Sequence, residues 1–267
     1  MKIDLSIDAK AVHAGLVRWL KNQFERNGFS KSVLGLSGGL DSALVCYLLV
    51  DALGAENVLP VRMPYKSSAS HSMDDAQKVI DATGVPHLDI PVTPMVDPLI
   101  KQFSEMSKLR QGNIMARQRM IILFDQSAAV NGLVVGTGNK TEIFLGYSTI
   151  YGDGAYAMNP VGDLYKTQIR QLSAYLGVPE SILAKPPSAD LWQGQTDEGD
   201  LGFTYADVDQ LLYLLLDKKL TPNDCEEAGF SGAFIHAVLK KIERSRFKRE
   251  MPPIARIKDI LEESGDK

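Results

Sequence analysis

The sequence predicts an α/β protein: a doubly wound parallel sheet flanked by helices, followed by a helical C-terminal part. Short apolar runs alternate with longer amphipathic segments through the first half of the chain. That alternation belongs to a parallel sheet with right-handed helical crossovers on both faces. Glycine closes three of the helical segments, at Gly28, Gly54 and Gly84, as it does where a helix ends in a left-handed residue.

In chain order, residues 7–27 carry Val12, Leu16, Trp19, Leu20 and Phe24 at spacings of three and four, which makes an amphipathic helix. Residues 32–36 are a short apolar run and read as a buried strand. Residues 37–42 form a turn, and 43–53 a second helix. A strand over 57–63, a helix over 72–83 and a weaker strand over 86–91 follow. Residues 95–106 read as helical, and 113–130 as a long helix with Met120, Leu123, Phe124 and Ala128 on its apolar side. The fourth strand is 133–137. Beyond residue 150 helices are expected near 165–176, 205–216 and 232–246, with Pro252-Pro253 opening a short tail. The polar stretch 186–203 has the length of a lid or binding loop. The whole chain, 1–267, reads as one domain: a core of about 30–185, the loop 186–203 and a helical part over 204–267.

Composition excludes several function classes. The 267 residues are 45% hydrophobic and carry a net charge of −4, which argues against a general nucleic-acid binder, since phosphate contacts need clustered Lys and Arg. No apolar run reaches the ~20 residues that span a bilayer, so no membrane association is expected. The N-terminus lacks the pattern of a signal peptide. Cys46 and Cys225 form no CxxC and read as free thiols of a reducing, cytoplasmic compartment. His13, His71, His87 and His236 have no zinc-ligand spacing.

Chemistry concentrates where two strands run into polar turns on one rim of the sheet: Leu36 into Ser37-Gly38-Gly39-Leu40-Asp41-Ser42, and Val135 into Thr137-Gly138-Asn139-Lys140. Adjacent glycines open backbone conformations closed to other residues and let an anion approach the amides. The free N–H groups and dipole of the following helix attract phosphate. The Ser37 and Ser42 hydroxyls add donors. Asp41 opposes a phosphate unless it holds Mg²⁺. A GG-x-D segment also suits an ordinary strand-to-helix turn, but SGG-x-DS between strand and helix is more specific. Neither GK[ST] nor G-x-G-x-x-G is present at this turn. Here the chain resembles the ATP pyrophosphatases, which split ATP between its α and β phosphates and share a Rossmann-like, adenine nucleotide α-hydrolase-like fold.

Four further stretches are similar to the NAD synthetases within that superfamily: Gly112-Asn113-Ile114-Met115-Ala116-Arg117-Gln118-Arg119-Met120, then Val135 through Glu142, then Gly146-Tyr147 through Tyr151-Gly152-Asp153-Gly154, and Pro187-Ser188-Ala189-Asp190-Leu191-Trp192. The resemblance runs from about residue 10 to about residue 255 and implies roles. ATP contacts fall to Ser37, Gly38, Gly39, Asp41, Ser42, Arg62, Thr137, Lys166 and Ser188, and Mg²⁺ ligation to Asp41 and Glu142. Arg117, Phe247 and Lys248 fall to the dinucleotide substrate. Asp153 falls to deprotonation of ammonia, and Lys166 to stabilising the pyrophosphate. A lysine at a helix start opposes the dipole, so a phosphate partner accounts for Lys166; the alternatives are a solvated lysine, an exposed Glu142 and an Asp153 that serves only its turn.

The implied reaction is ATP-dependent amidation of deamido-NAD through an acyl-adenylate, releasing AMP and pyrophosphate. Glutamine-using relatives carry a preceding glutaminase domain. Only about 30 residues precede the phosphate turn here, so ammonia is the expected nitrogen donor. The resemblance also implies a homodimer; helix 113–130 is an interface candidate, and packing on its own sheet fits its periodicity equally well. The chain departs from the family at Ile150, Ala157 and Phe247, where Lys, Asp and His are usual. Tyr151 and Arg119 are both open as substitutes. The rival readings are another amidating or thiolating ATP pyrophosphatase and a non-catalytic AMP-holding module; the Arg117 segment with Gly152-Asp153-Gly154 weighs against the first, and Asp41, Glu142 and Lys166 together weigh against the second.

Overall fold

The computed structural model describes residues 3–188, 190–192 and 194–257. Ala189 and Gln193 of the expected lid, and residues 258–267 of the expected helical tail, lie outside the described residues.

Helix α1 (Ala9–Asn27) is started by the Asp8 side chain, which accepts from the Ala11 amide, and is ended by Gly28 at φ 72°. It buries Leu20 and Phe24. Strand β1 (Lys31–Gly35), α2 (Leu40–Leu53), β2 (Val58–Arg62), α3 (Ser70–Thr83) and β3 (Leu88–Asp89) follow. Next come α4 (Thr93–Ile100), α5 (Lys108–Val130) and β4 (Gly132–Val134). All strand pairs are parallel, in the order β3-β2-β1-β4. Val33 packs with Val61, Met115 and Ile122 under α5, whereas Leu34 packs with Leu44, Leu48 and Leu49 under α2. Neighbouring residues of one strand therefore enter different cores, as burial of both sheet faces requires.

Several boundaries differ from the sequence reading. Strand β3 shrinks to two residues, an edge strand bracketed by Pro86 and Pro91. Helix α4 stops at Ile100 after Pro98 has removed an interior hydrogen bond. Helix α5 starts five residues earlier than expected, because Ser107 caps it by accepting from the Arg110 amide, and Gly112 lies inside the helix rather than before it. Strand β4 ends at Val134, and Val135 bridges in parallel to Met158.

The second half holds α6 (Lys140–Leu145), α7 (Lys166–Tyr175), α8 (Glu180–Leu183), α9 (Asp197–Leu201), α10 (Tyr205–Leu212), α11 (Pro222–Glu227) and α12 (Gly232–Arg244). Helix α10 continues as a π-helical turn over Tyr213–Asp217. Tyr165, Tyr205, Val208, Leu211, Ile235 and Val238 share a third core, which fastens the C-terminal helices onto α6 and α7. No described helix is long and apolar enough to cross a membrane.

Candidate active site

The strand order reverses between β1 and β4, and such a switch opens a crevice at the carboxyl ends of the strands. Both polar turns lie there. After β1, Gly38 takes φ 77°, and a Cβ on it would stand 2.1 Å from the Ser72 carbonyl oxygen. Only glycine allows α3 to approach this closely. Gly39 precedes α2 in extended conformation, and no side chain caps the helix, so its first amides are left without a side-chain partner at the carboxyl end of the sheet, the kind of terminus that suits an anion. Helix α2 begins at Leu40, three residues earlier than expected, which puts Asp41 and Ser42 in its first turn. The serines hold the turn in shape: Ser42 Oγ donates to the Gly39 carbonyl at 3.0 Å and accepts from the Ser37 amide at 3.3 Å, and Ser37 Oγ accepts from the Gly39 amide at 3.2 Å.

The turn after β4 brings the second carboxylate. Asn139 caps α6 by accepting from the Glu142 amide at 3.0 Å, and its Nδ2 donates to Asp41 Oδ1 at 3.0 Å. One buried amide thus joins the two turns; sequence reading passed over Asn139, although its N-cap spacing to Glu142 was visible. Lys166, at the start of α7, reaches between the acids: Nζ lies 2.5 Å from Asp41 Oδ2 and 3.0 Å from Glu142 Oε1, and 5.3 Å from the centre of the Tyr205 ring. Its backbone is fixed as well. The Lys166 amide donates to Thr141 Oγ1, which donates to the buried Asp209, and Asp209 also accepts from the Thr167 amide.

Burial dominates the electrostatics. Desolvation, with the charges of Asp41 and Asp197, outweighs Lys166 and pushes Glu142 up to about 7. Burial pulls Lys166 down, but Asp41 and Glu142 more than reverse it and the net shift is upward, so the ammonium stays charged. Tyr205 is raised by burial and by Glu142 and Asp197. The site therefore holds a fixed cation between two acids beside uncapped helix amides.

Ser37, Gly38, Gly39, Asp41, Ser42, Glu142 and Lys166 are brought together as expected, with Thr137 on the same rim. The other expected residues lie elsewhere or are otherwise engaged. Arg62 ends β2 with all three of its hydrogen bonds given to Asp89 and Gln77. Ser188 Oγ donates to the Gln195 carbonyl at 2.7 Å and accepts from the Asp190 amide at 3.1 Å, which staples its own loop. Asp190 in turn accepts from the Ala69 amide.

A second group forms where residues 146–154 meet α5. Asp153 Oδ1 accepts from the Thr149 amide at 2.7 Å, and Arg117 Nε donates to the Ile150 carbonyl at 3.3 Å. Asp153 is open to solvent, yet surrounding protein desolvates its carboxylate enough to raise its pKa, partly offset by the Thr149 amide, Lys248 and Arg119. Lys248 donates to the carbonyls of Gly146 and Ser148 at 2.8 and 2.6 Å, closing the end of α6, while Phe247 is exposed. Arg119 donates to the Met63 carbonyl at 3.0 Å and lies within the fields of Asp153 and Asp190.

The stretch 186–203, expected to be a lid or binding loop, contains α9, capped by Thr196, which accepts from the Gly199 amide. It is docked rather than free. A Cβ on Gly112 of α5 would lie 2.9 Å from Leu191 Cδ1, so the glycine is the seat for the loop.

The model for NAD synthase matches residues 12–252. The NH(3)-dependent NAD(+) synthetase of Fusobacterium nucleatum subsp. nucleatum is 52% identical over 257 residues, covering 96% of this chain and 99% of that protein. Two solved structures are each 32% identical and cover 94% of this chain and 100% of theirs: an NMN synthetase from Francisella tularensis, with a TM-score of 0.84, and an NH3-dependent NAD synthetase from Campylobacter jejuni, with a TM-score of 0.80. The acid–lysine–acid arrangement at the strand switch thus sits in a chain that matches one family along nearly its full length, and the chain belongs to the NAD synthase family.

Proposed function

We propose that this chain amidates deamido-NAD with ammonia at the expense of ATP, with the β1–α2 turn, Lys166, Asp41 and Glu142 handling the phosphates. The carrying observation is the placement of Asp41 and Glu142 within 3.0 Å of one ammonium nitrogen beside uncapped helix amides. The nicotinate carboxylate oxygen attacks the α-phosphorus, and the bond to pyrophosphate breaks. Ammonia then attacks the acyl carbon, and AMP leaves. Preorganised amides of the turn and the Lys166 ammonium stabilise charge moving onto pyrophosphate.

The residues fit Mg²⁺. Asp41 and Glu142 are hard carboxylates close enough for both to reach the Lys166 ammonium, and Mg²⁺ in such sites takes one or two carboxylates with substrate phosphates and water completing the shell. When bound, the ion would supply charge neutralisation at the phosphates. Asp153, with its raised pKa, is suited to accept a proton from ammonium. Arg117, which reaches the Ile150 carbonyl, and Arg119, which reaches the Met63 carbonyl, are candidates for the dinucleotide from different sides of α5. We further infer a cytoplasmic homodimer; the buried free thiols of Cys46 and Cys225 suit a reducing compartment.

The test is direct. Protein incubated with ATP, Mg²⁺, deamido-NAD and ammonium should yield NAD and AMP in equal amounts, with a rate that tracks free NH₃ as pH rises; absence of AMP sinks the reading. Nicotinate mononucleotide belongs in the same assay, because one solved neighbour is an NMN synthetase and this chain lacks two charges of the dinucleotide pattern, at Ile150 and Ala157. Faster turnover of the mononucleotide would transfer the assignment to that acid.

A further inference from the structure

The Asp41–Lys166–Glu142 group has a neighbour on the loop. Asp197 is the first residue of α9, yet it is 4% exposed. Its Oδ2 lies 3.2 Å from the Tyr205 hydroxyl, and the same hydroxyl lies 3.3 Å from Glu142 Oε1. Its other oxygen, Oδ1, is buried without a hydrogen-bond partner, a cost that a purely structural carboxylate has no reason to carry. Tyr205 itself is anchored: its ring packs in the C-terminal core beneath the Lys166 ammonium. Glu142 is anchored on α6. Asp197 is the one member of this set carried by the stretch 186–203.

We propose that Asp197 is a positioning residue for the phosphate-handling acids: acting through the Tyr205 hydroxyl, it makes the placement of Glu142 depend on the loop being seated. The inference rests on the reading of Glu142 as a holder of the divalent cation. Asp197 touches neither Asp41 nor Lys166 by hydrogen bond, so its action is indirect, and the single hydroxyl proton of Tyr205 is shared between Asp197 and Glu142 as a three-centre bond, with long arms of 3.2 and 3.3 Å. Two consequences follow. Cation binding should strengthen when the loop is docked, and the loop should be held more firmly when Glu142 is engaged, because coupling between two sites is reciprocal. Docking of Leu191 on Gly112 and of Asp190 on the Ala69 amide secures one end of the loop; the other is held by Asp197 on the Tyr205 hydroxyl, Glu198 on the Tyr205 amide, and Asp200 and Gln195 on Tyr147.

The experiment uses the full chain and Mn²⁺ as the probe, with affinity read by electron paramagnetic resonance in the absence of nucleotide and cutting of residues 188–202 read by limited proteolysis. Tyr205→Phe keeps the packed ring and removes only the hydroxyl; Asp197→Ala removes the acceptor; Asp197→Asn keeps an acceptor oxygen. Tyr205→Phe and Asp197→Ala should each weaken Mn²⁺ binding about tenfold, the scale of one hydrogen bond to a charged group. The double variant should be no worse than either alone, since both remove the same link. Asp197→Asn should recover most of the affinity, and Mn²⁺ should protect the loop in the unaltered chain but not in Tyr205→Phe. Additive losses, unchanged Mn²⁺ affinity in Tyr205→Phe, or protection that survives its loss would overturn the inference. Glu142→Gln separates the two readings: if it leaves Mn²⁺ binding intact, the cation assignment fails; if it abolishes binding while Tyr205→Phe does not alter it, only the role of Asp197 fails.

Discussion

Lys166 shows how one side chain can carry two opposed requirements. Burial at 6% exposure penalises its charge, and Asp41 and Glu142 restore it. A buried charge of this kind is tolerated only when paired, so each acid is needed to hold the lysine as well as for the phosphate role proposed above. Asp41→Asn and Glu142→Gln should each lower turnover by about two to three powers of ten, the loss of several kcal/mol of charge stabilisation; steady-state assays at saturating Mg²⁺ check this, and near-normal rates would refute it. Glu142 also predicts a pH effect on stability. Its folded pKa, about 7, stands above the ordinary 4.5, so the folded state binds this proton more tightly than the unfolded chain. The corresponding stability is present at low pH and is lost as pH rises through about 7. Thermal melts of the substrate-free protein should show the unaltered chain losing ground to Glu142→Gln between pH 5 and pH 8, whereas a constant difference would contradict the shift.

At the level of elements, the β1–α2 turn and the loop after α8 follow different rules. The turn is rigid because Gly38 at φ 77° fits under the Ser72 carbonyl. Gly38→Ala should cost at least about 1–2 kcal/mol from conformation alone, more with the clash, and should abolish nucleotide binding; a melt and a nucleotide titration measure both. The need for glycine there was legible in the sequence from the GG pair between a strand and a helix, but that the backbone it admits is the Ser72 carbonyl of α3 was not. The loop was legible only as long and polar. Its helix α9 spans five residues, too short for periodicity to register, and its seat on Gly112 is a contact between segments about 80 residues apart. The loop is expected to open and close over the acyl-adenylate, which must be kept from water. Proteolytic cutting between Ser188 and Gly202 should fall sharply when ATP and deamido-NAD are both bound, and Leu191→Ala should raise it in the free protein. Equal cutting in every state would remove the lid from the account.

Across the whole molecule, α5 divides its surface. Met115 and Ile122 face the sheet, while Ile121 at 54% and Phe124 at 40% exposure face outward. Met95, Leu99 and Phe103 of the neighbouring α4 segment are exposed as well. An apolar surface of this kind suits a protein interface, and it supports the proposed homodimer: Ile121→Glu with Phe124→Glu should convert a dimer into a folded monomer by sedimentation, and an unchanged mass would exclude this face. The two readings of that helix left open by its periodicity are therefore compatible, one for each side. Local pattern alone determined the α/β class, the strand and helix succession, and the residues of the phosphate turn, because apolar spacing, glycine punctuation and strand-to-helix turns are written within a few residues of one another. Tertiary structure alone decided that Asn139 ties the two turns, that Lys166 bridges Asp41 and Glu142, that Arg62 and Lys248 are spent on Asp89, Gln77 and backbone carbonyls, and that Asp197 reaches Tyr205. Those are contacts between side chains distant in sequence, set by the strand order β3-β2-β1-β4 and by the packing of the C-terminal helices, and no local periodicity encodes which polar groups such packing will bring within hydrogen-bond reach.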